Sequence, residues 1–239
     1  MKSLRSVYRA AASLLLFALF GIGGLLLAPL ALLLRDIRLC TALIRIFWIP
    51  LVRLFELAGL IKVDVSALSK IRGSVIAANH PSLIDVVVLI AAVPKTLFVA
   101  KHVLKKNPFV SALVANASLP DDERLVDAAE KFLRKGWNVL VFPEGTRTSA
   151  CGVLHTFKRG AAQLAIRSGV PLVPLAIKLS PFRILGKRQS PCDMGSERVT
   201  SRLETSEPLA AAVGMGESLH SAAKRVTCEL QAAIKSLLA

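Results

Sequence analysis

Aromatic residues are scarce: Phe, Trp and Tyr make up 5% of the 239 residues, and Tyr occurs once. A chain so poor in rings lacks the stacking platform on which single-stranded nucleic acids bind. Acidic residues are scarce too, 16 Asp and Glu against 31 Lys and Arg, for a formal net charge of +15. That imbalance suits a polyanion. With nucleic acid disfavoured by the missing rings, an anionic bilayer or a phosphorylated substrate fits better. Cysteine is rare, and Cys40, Cys151, Cys192 and Cys228 are scattered with no pair at zinc-binding or Cys-x-x-Cys spacing. This excludes a disulfide scaffold and gives no reason to expect a metal. Also missing are a Walker phosphate loop, a G-x-G-x-x-G turn and a G-x-S-x-G nucleophile elbow.

What the chain has in excess is apolar side chains, 54% of the residues against a usual figure of about 45–50%. Residues 11–34 carry no charge, and Ser13 is their only hydroxyl. As a helix this run reaches about 36 Å, enough to cross about 30 Å of hydrocarbon. Pro29 is expected to break it. Basic residues flank it on both sides (Lys2, Arg5 and Arg9 before, Arg35, Arg38, Arg45 and Arg53 after), so charge does not orient a single crossing. A cleaved signal peptide fits less well, because the run is long and no A-x-A site follows. Residues 38–60 form a second apolar segment in which Arg38, Arg45, Arg53 and Glu56 fall within about 80° of a helical wheel. This reads as an interfacial helix, with a core helix as the alternative. Residues 1–60 are therefore expected to be a membrane-associating helical unit.

Residues 61–239 alternate strand-like and helix-like patterns. Val75 to Ala78, Thr96 to Ala100, Asn138 to Phe142 and Leu172 to Ile177 are short apolar runs. Between them, a helix is expected to open at Pro120-Asp121-Asp122-Glu123 and to end at Gly136, and another near Lys158 to Ser168. Residues 178–197 read as a basic loop, Arg198 to Leu203 as an edge strand, and Glu217 to Leu238 as a closing amphipathic helix. The fold class is α/β, a mixed and largely parallel sheet flanked by helices and preceded by the membrane-associating segment.

His155 and His220 stand alone in a loop and on a polar helix face, and His102 lies among Lys101, Lys105 and Lys106. His80 differs. It falls in Asn79-His80-Pro81-Ser82-Leu83-Ile84-Asp85, directly after a buried strand. Pro81 keeps His80 out of helical geometry, so Asp85, one turn inside a following helix, can reach the imidazole. The pair would make a base and its orienting carboxylate. Ser82-x-x-Asp85 is equally a capping box that needs no catalysis. After Val139 to Phe142 comes Pro143-Glu144-Gly145-Thr146-Arg147-Thr148, a turn whose arginine, hydroxyls and backbone N–H groups suit a phosphate. A plain polar turn with a surface arginine is the alternative.

Together the two motifs, Asn79-His80-x-Ser82-x-x-Asp85 and Phe142-Pro143-Glu144-Gly145-Thr146-Arg147, resemble the glycerolipid acyltransferase family. Phe98-Val99-Ala100-Lys101 between them and Val170-Pro171-Leu172-Val173-Pro174 after them fit that resemblance, which covers residues 75–177. It implies a membrane-associated enzyme that moves a fatty acyl group from acyl-CoA or acyl carrier protein to the free hydroxyl of lysophosphatidic acid, giving phosphatidic acid. It implies His80 as general base and Asp85 as its partner. Glu144, Gly145, Thr146 and Arg147 would form the acceptor site, with Arg147 and Lys101 on the acceptor's phosphate. No cofactor or metal is implied. Residues 61–239 would be the catalytic domain, working at an anionic membrane on its cytoplasmic face, most naturally the bacterial inner membrane. After Lys101 the chain departs from the commoner pattern: Val103-Leu104 stands for Glu-Leu, and residues 116–121 lack a Gly-rich turn and arginine. That bears on the acceptor, for which an ornithine-type lyso-lipid is the alternative. A non-enzymatic basic membrane-binding protein is the other.

Overall fold

Four-residue apolar runs bounded by polar turns make the central strands, because a strand covered on both faces has no polar side to show. The computed structural model describes residues 4–34, 36–100, 118–122, 124–149, 152–182, 186, 189, 190, 193, 195 and 197–239. Lys101 and His102 lie outside them. Helices α1 (Leu4–Leu33) and α2 (Ile37–Leu57) come first, followed by strand β1 (Ile61–Asp64) and β2 (Val75–Ala78). Then come α3 (Asp85–Ala92), β3 (Thr96–Ala100), β4 (Ser118–Pro120) and α4 (Leu125–Leu133). The chain continues with β5 (Asn138–Val141), α5 (Gly160–Ser168), β6 (Leu172–Ser180), β7 (Val199–Thr205) and α6 (Leu219–Leu238).

Among the described residues the strands form one seven-stranded sheet in the order β1-β7-β6-β2-β5-β3-β4. Every neighbouring pair is parallel except β6 with β7. Alternate side chains serve opposite layers. Ile76, Ala78, Leu140 and Leu175 face the core shared with α1, α2 and α3. Val75, Ala77, Val139 and Leu172 face the core shared with α4, α5 and α6. The α/β class and the largely parallel sheet are as the sequence implied.

Local structure departs from the sequence pattern in four places. Pro29 lies inside α1, which runs on to Leu33. Pro120 closes β4, and α4 starts only at Leu125; the Asp122 side chain accepts the Arg124 N–H just before it. β6 continues to Ser180, into the stretch expected to be loop. The strand expected at an edge, β7, is interior, between β6 and the short β1. β1 itself alternates Ile-Lys-Val-Asp over four residues, too short a run to stand out in the sequence.

α1 and α2 form an antiparallel hairpin. Near the start of α1, Arg9 donates to the Gly59 and Leu60 carbonyls just past α2, and Tyr8 donates to Ala58 O. Further along, Phe17 meets Phe55 edge-on and Phe20 lies against Trp48, with ring centroids 5.5 and 6.3 Å apart. At the far end Cys40 Sγ donates to Leu34 O at 3.0 Å. α2 in turn presses Ile44, Trp48, Leu51 and Phe55 into the core of the sheet. Part of its charged sector also faces protein: Arg45 donates to Ile90 O at the end of α3, and Glu56 accepts the Val63 N–H.

Candidate functional site

β2 and β5 are adjacent and parallel, with Ile76 beside Leu140 and Ala77 beside Val141. The residues after their carboxyl ends, His80 and Glu144, therefore emerge side by side, at the edge where open α/β sheets bind ligands. Asn79 anchors the first of them. A buried amide at the end of an apolar strand must find partners, and Asn79 finds both on one residue of β6. Its Nδ2 donates to Ile177 O at 3.1 Å, and its Oδ1 accepts Ile177 N–H at 2.7 Å.

His80 and Asp85 meet. Nδ1 of His80 lies 2.8 Å from Oδ2 of Asp85. The same oxygen accepts the Ser82 N–H at 2.7 Å, while Ser82 Oγ accepts the Ile84 N–H at 3.2 Å. Dyad and capping turn thus coexist, one carboxylate serving both. Asp85 is buried. Burial pushes its carboxyl up from the usual range, opposed by the hydrogen bond and charge of His80, the Ser82 amide and the charge of Arg147. A carboxylate on Nδ1 places the imidazole proton there and leaves Nε2 as the basic nitrogen. The ring is held flat against Phe142, centroids 4.2 Å apart and planes 24° from parallel.

The second motif is tied to the first through its backbone. Thr148 N–H donates to His80 O at 2.8 Å. Glu144 Oε1 accepts the His80 N–H at 3.3 Å and also the Thr148 hydroxyl, whose oxygen accepts the same His80 N–H at 3.1 Å. Glu144 Oε2 accepts the His155 N–H at 2.9 Å. Glu144 is buried, with both carboxylate oxygens engaged by protein donors. Gly145 turns the chain at φ +63°, a conformation most cheaply held by glycine. Thr146 is half-buried. Arg147 donates from Nη1 to Gly186 O at 2.9 Å.

Gly145, Thr146, Arg147 and His80 share the wall of a cavity of about 920 Å³, which runs in between α1, α2 and α3. Phe17, Phe20, Trp48, Leu51 and Phe55 also line it. The structure thus brings His80, Asp85, Glu144, Gly145, Thr146 and Arg147 to one crevice. Thr148, one of the hydroxyls of the quoted turn, belongs there too, and so does Lys158, which the sequence pattern does not single out. Thr148 closes the motif, and a hydroxyl there is a visible signal. Lys158 lies further along the chain, where only the fold returns it, its N–H donating to Pro143 O at 2.8 Å.

Residues 61–178 match the Acyltransferase family. Similar curated proteins include the 1-acyl-sn-glycerol-3-phosphate acyltransferase of Neisseria gonorrhoeae, 34% identical over 124 residues, which are 48% of this chain and 47% of that protein. The enzyme of the same description from Escherichia coli K12 is 31% identical over 117 residues, 45% of this chain and 47% of that protein. A chloroplastic one from Brassica napus is 31% identical over 128 residues, 48% of this chain and 37% of that protein. The chain thus spans less than half the length of these relatives. The crystal structure of a 1-acyl-sn-glycerophosphate acyltransferase from Thermotoga maritima shares the fold, with a TM-score of 0.68 over 98% of both chains at 23% identity. With the His80–Asp85 pair and the Glu144–Arg147 turn meeting at one crevice inside the matched region, this chain belongs to the glycerolipid acyltransferase family.

Proposed function

We propose that the protein is a membrane-associated O-acyltransferase that transfers a fatty acyl group from acyl-CoA or acyl carrier protein to lysophosphatidic acid, giving phosphatidic acid. The observation that carries this reading is the 2.8 Å contact between His80 Nδ1 and Asp85 Oδ2, with His80 on the wall of a largely apolar cavity. Lysophosphatidic acid is chosen because the relatives bear names for acylation of that lipid. His80 Nε2 takes the proton of the acceptor hydroxyl as its oxygen attacks the thioester carbonyl. The new ester bond forms, the carbon–sulfur bond breaks, and the thiolate leaves with the proton that the imidazolium returns. The thioester is already activated, so no protein nucleophile is required. A positioned base contributes about 10²–10⁴-fold, with approximation of the reactants supplying more.

In this reading Arg147 pairs with the acceptor's phosphate, aided by Lys101, and Gly145 and Thr146 shape the turn beside it. Glu144 serves the acceptor site by fixing the His80 backbone. The cavity between α1, α2 and α3 houses hydrocarbon. Residues 1–60 form the membrane-associating part and residues 61–239 the catalytic part, a division of role rather than of core, since Trp48 and Phe55 share a core with Leu175. α1 is long and apolar enough to cross a bilayer. Its pairing with α2 from Arg9 to the Cys40 end favours a hairpin lying in one leaflet, on the cytoplasmic face where both carriers are found. The deciding experiment is acyl transfer by the full chain in vesicles, with labelled lysophosphatidic acid, ornithine-type lyso-lipid and other lyso-acceptors, and both donors. Transfer to lysophosphatidic acid above the others is the expected result. Transfer to none of them, or to another acceptor alone, would overturn the reading.

A further inference from the structure

Lys158 lies across the site turn. A Cβ added to Gly145 would sit 3.0 Å from Lys158 Cε and 3.1 Å from its Nζ, so the lysine's far end occupies the space that a side chain at 145 would take. Lys158 also lines the cavity together with His80, Thr146 and Arg147. Among the described residues its ammonium has no hydrogen-bond or ion-pair partner. Asp85 is engaged by His80 and Ser82, and Glu144 by His80, Thr148 and His155. Asp121, the carboxylate that lines the same cavity, makes no ion pair with Lys158. A cation that reaches a cavity wall with no anion of its own is placed to receive one from a ligand.

We propose that Lys158 is a binding residue for the acceptor's phosphate, joining Arg147 across the Gly145–Thr146 turn. The inference rests on the acyltransferase reading above. In that reaction the hydroxyl must lie within hydrogen-bond reach of His80, and in lysophosphatidic acid the phosphate is carried by the adjacent glycerol carbon. The phosphate is therefore held close to the dyad, next to the turn that Thr148 N–H and Glu144 bind to His80. Gly145 answers to two demands at once, the positive φ and a clear path for the lysine's end. Arg147 is held to Gly186 O, and Lys158 brings a second positive charge to the wall of the same cavity.

The test is steady-state kinetics of the full chain in vesicles, comparing wild type, Lys158→Met and Lys158→Arg. The methionine keeps the stem and removes the charge; the arginine restores it. For Lys158→Met, KM for lysophosphatidic acid should rise about 10-fold or more, KM for the acyl donor should change less than two-fold, and Lys158→Arg should recover most of the loss. A fall in kcat with acceptor KM unchanged would assign Lys158 to the reacting carbonyl or to structure, and an equal rise in donor KM would assign it to the donor; either overturns the proposal. Lack of transfer to lysophosphatidic acid by the wild type would instead sink the acyltransferase reading, whatever the variants do.

Discussion

Glu144 accepts the backbone N–H of His80, so the acidic residue of one motif holds the base of the other although they are 64 positions apart. The carboxylate is buried and also binds Thr148 and His155. Glu144→Gln would turn an amide N–H towards one set of donors and remove the charge from the other. Losing charge-assisted bonds of this kind costs about 1.5–3 kcal/mol. The variant should melt at lower temperature and also lose turnover, because the His80 backbone is no longer fixed. Thr148→Ala should follow the same direction less steeply. Unchanged melting in Glu144→Gln would show that the carboxylate does not bridge the motifs. Thermal denaturation beside the acyl-transfer assay reads both effects.

Asp85 and Ser82 should separate cleanly. One oxygen of Asp85 serves both His80 Nδ1 and the Ser82 N–H. Asp85→Asn therefore either turns an amide N–H to both, forcing the imidazole proton to Nε2, or keeps a neutral oxygen there that no longer stabilises the imidazolium; each impairs the base. Turnover should fall about 10²–10⁴-fold with a folded protein. Ser82→Ala loses only the acceptor for Ile84 N–H, a stability loss of about 1 kcal/mol with turnover largely kept. Near-normal turnover in Asp85→Asn would reduce the carboxylate to a helix cap.

That pair also marks how far the amino-acid sequence alone reaches. His80 and Asp85 announce themselves because Pro81 separates a strand from a helix, and that break lets residues five apart meet. Spacing alone leaves the capping turn and the dyad as rivals, since a single carboxylate oxygen accepting both donors is a matter of distances. The places of Lys158 and Asn79 are illegible for another reason: Lys158 meets Pro143 only once the site loop has folded back, and Asn79, though part of the motif, pairs with Ile177 on β6, 98 positions away. The central strands are legible nearly residue for residue because burial on both faces leaves an unbroken apolar run. β7 reads wrongly as an edge because its neighbour β1 is four residues of half-polar pattern, and nothing local says that a second strand covers it.

Arg147→Lys should damage the enzyme although it conserves charge. The guanidinium donates to Gly186 O, and a planar fork can hold such a bond and a phosphate in fixed relative directions. An ammonium on a flexible stem cannot keep both geometries. Acceptor KM should rise and kcat fall, roughly 10-fold or more in their ratio, with donor KM little changed. The check is the same kinetics run with lysophosphatidic acid and an uncharged monoacylglycerol. If the variant keeps the wild-type preference between the two acceptors, Arg147 serves the structure and not the phosphate.

The outward face of α1 should carry membrane attachment. Leu15, Leu19 and Leu26 stand at helical spacing on one side and are exposed by 69%, 42% and 73%. Phe17, Phe20 and Arg9 point the other way, to α2 and its end. A helix apolar on both faces, with only one face covered by protein, has a second apolar medium to satisfy. Burying a leucine is worth about 1.5–3 kcal/mol, so replacing Leu15, Leu19 and Leu26 together by Gln should cut binding to vesicles by at least about 10²-fold. The core should be untouched, because these side chains belong to neither buried cluster, and the melting of detergent-solubilised protein should stay near the wild type. Flotation with vesicles containing an anionic phospholipid, at low and high salt, measures the loss. Full retention of the triple variant on vesicles in high salt would place the attachment elsewhere and remove α1 from the membrane-binding surface.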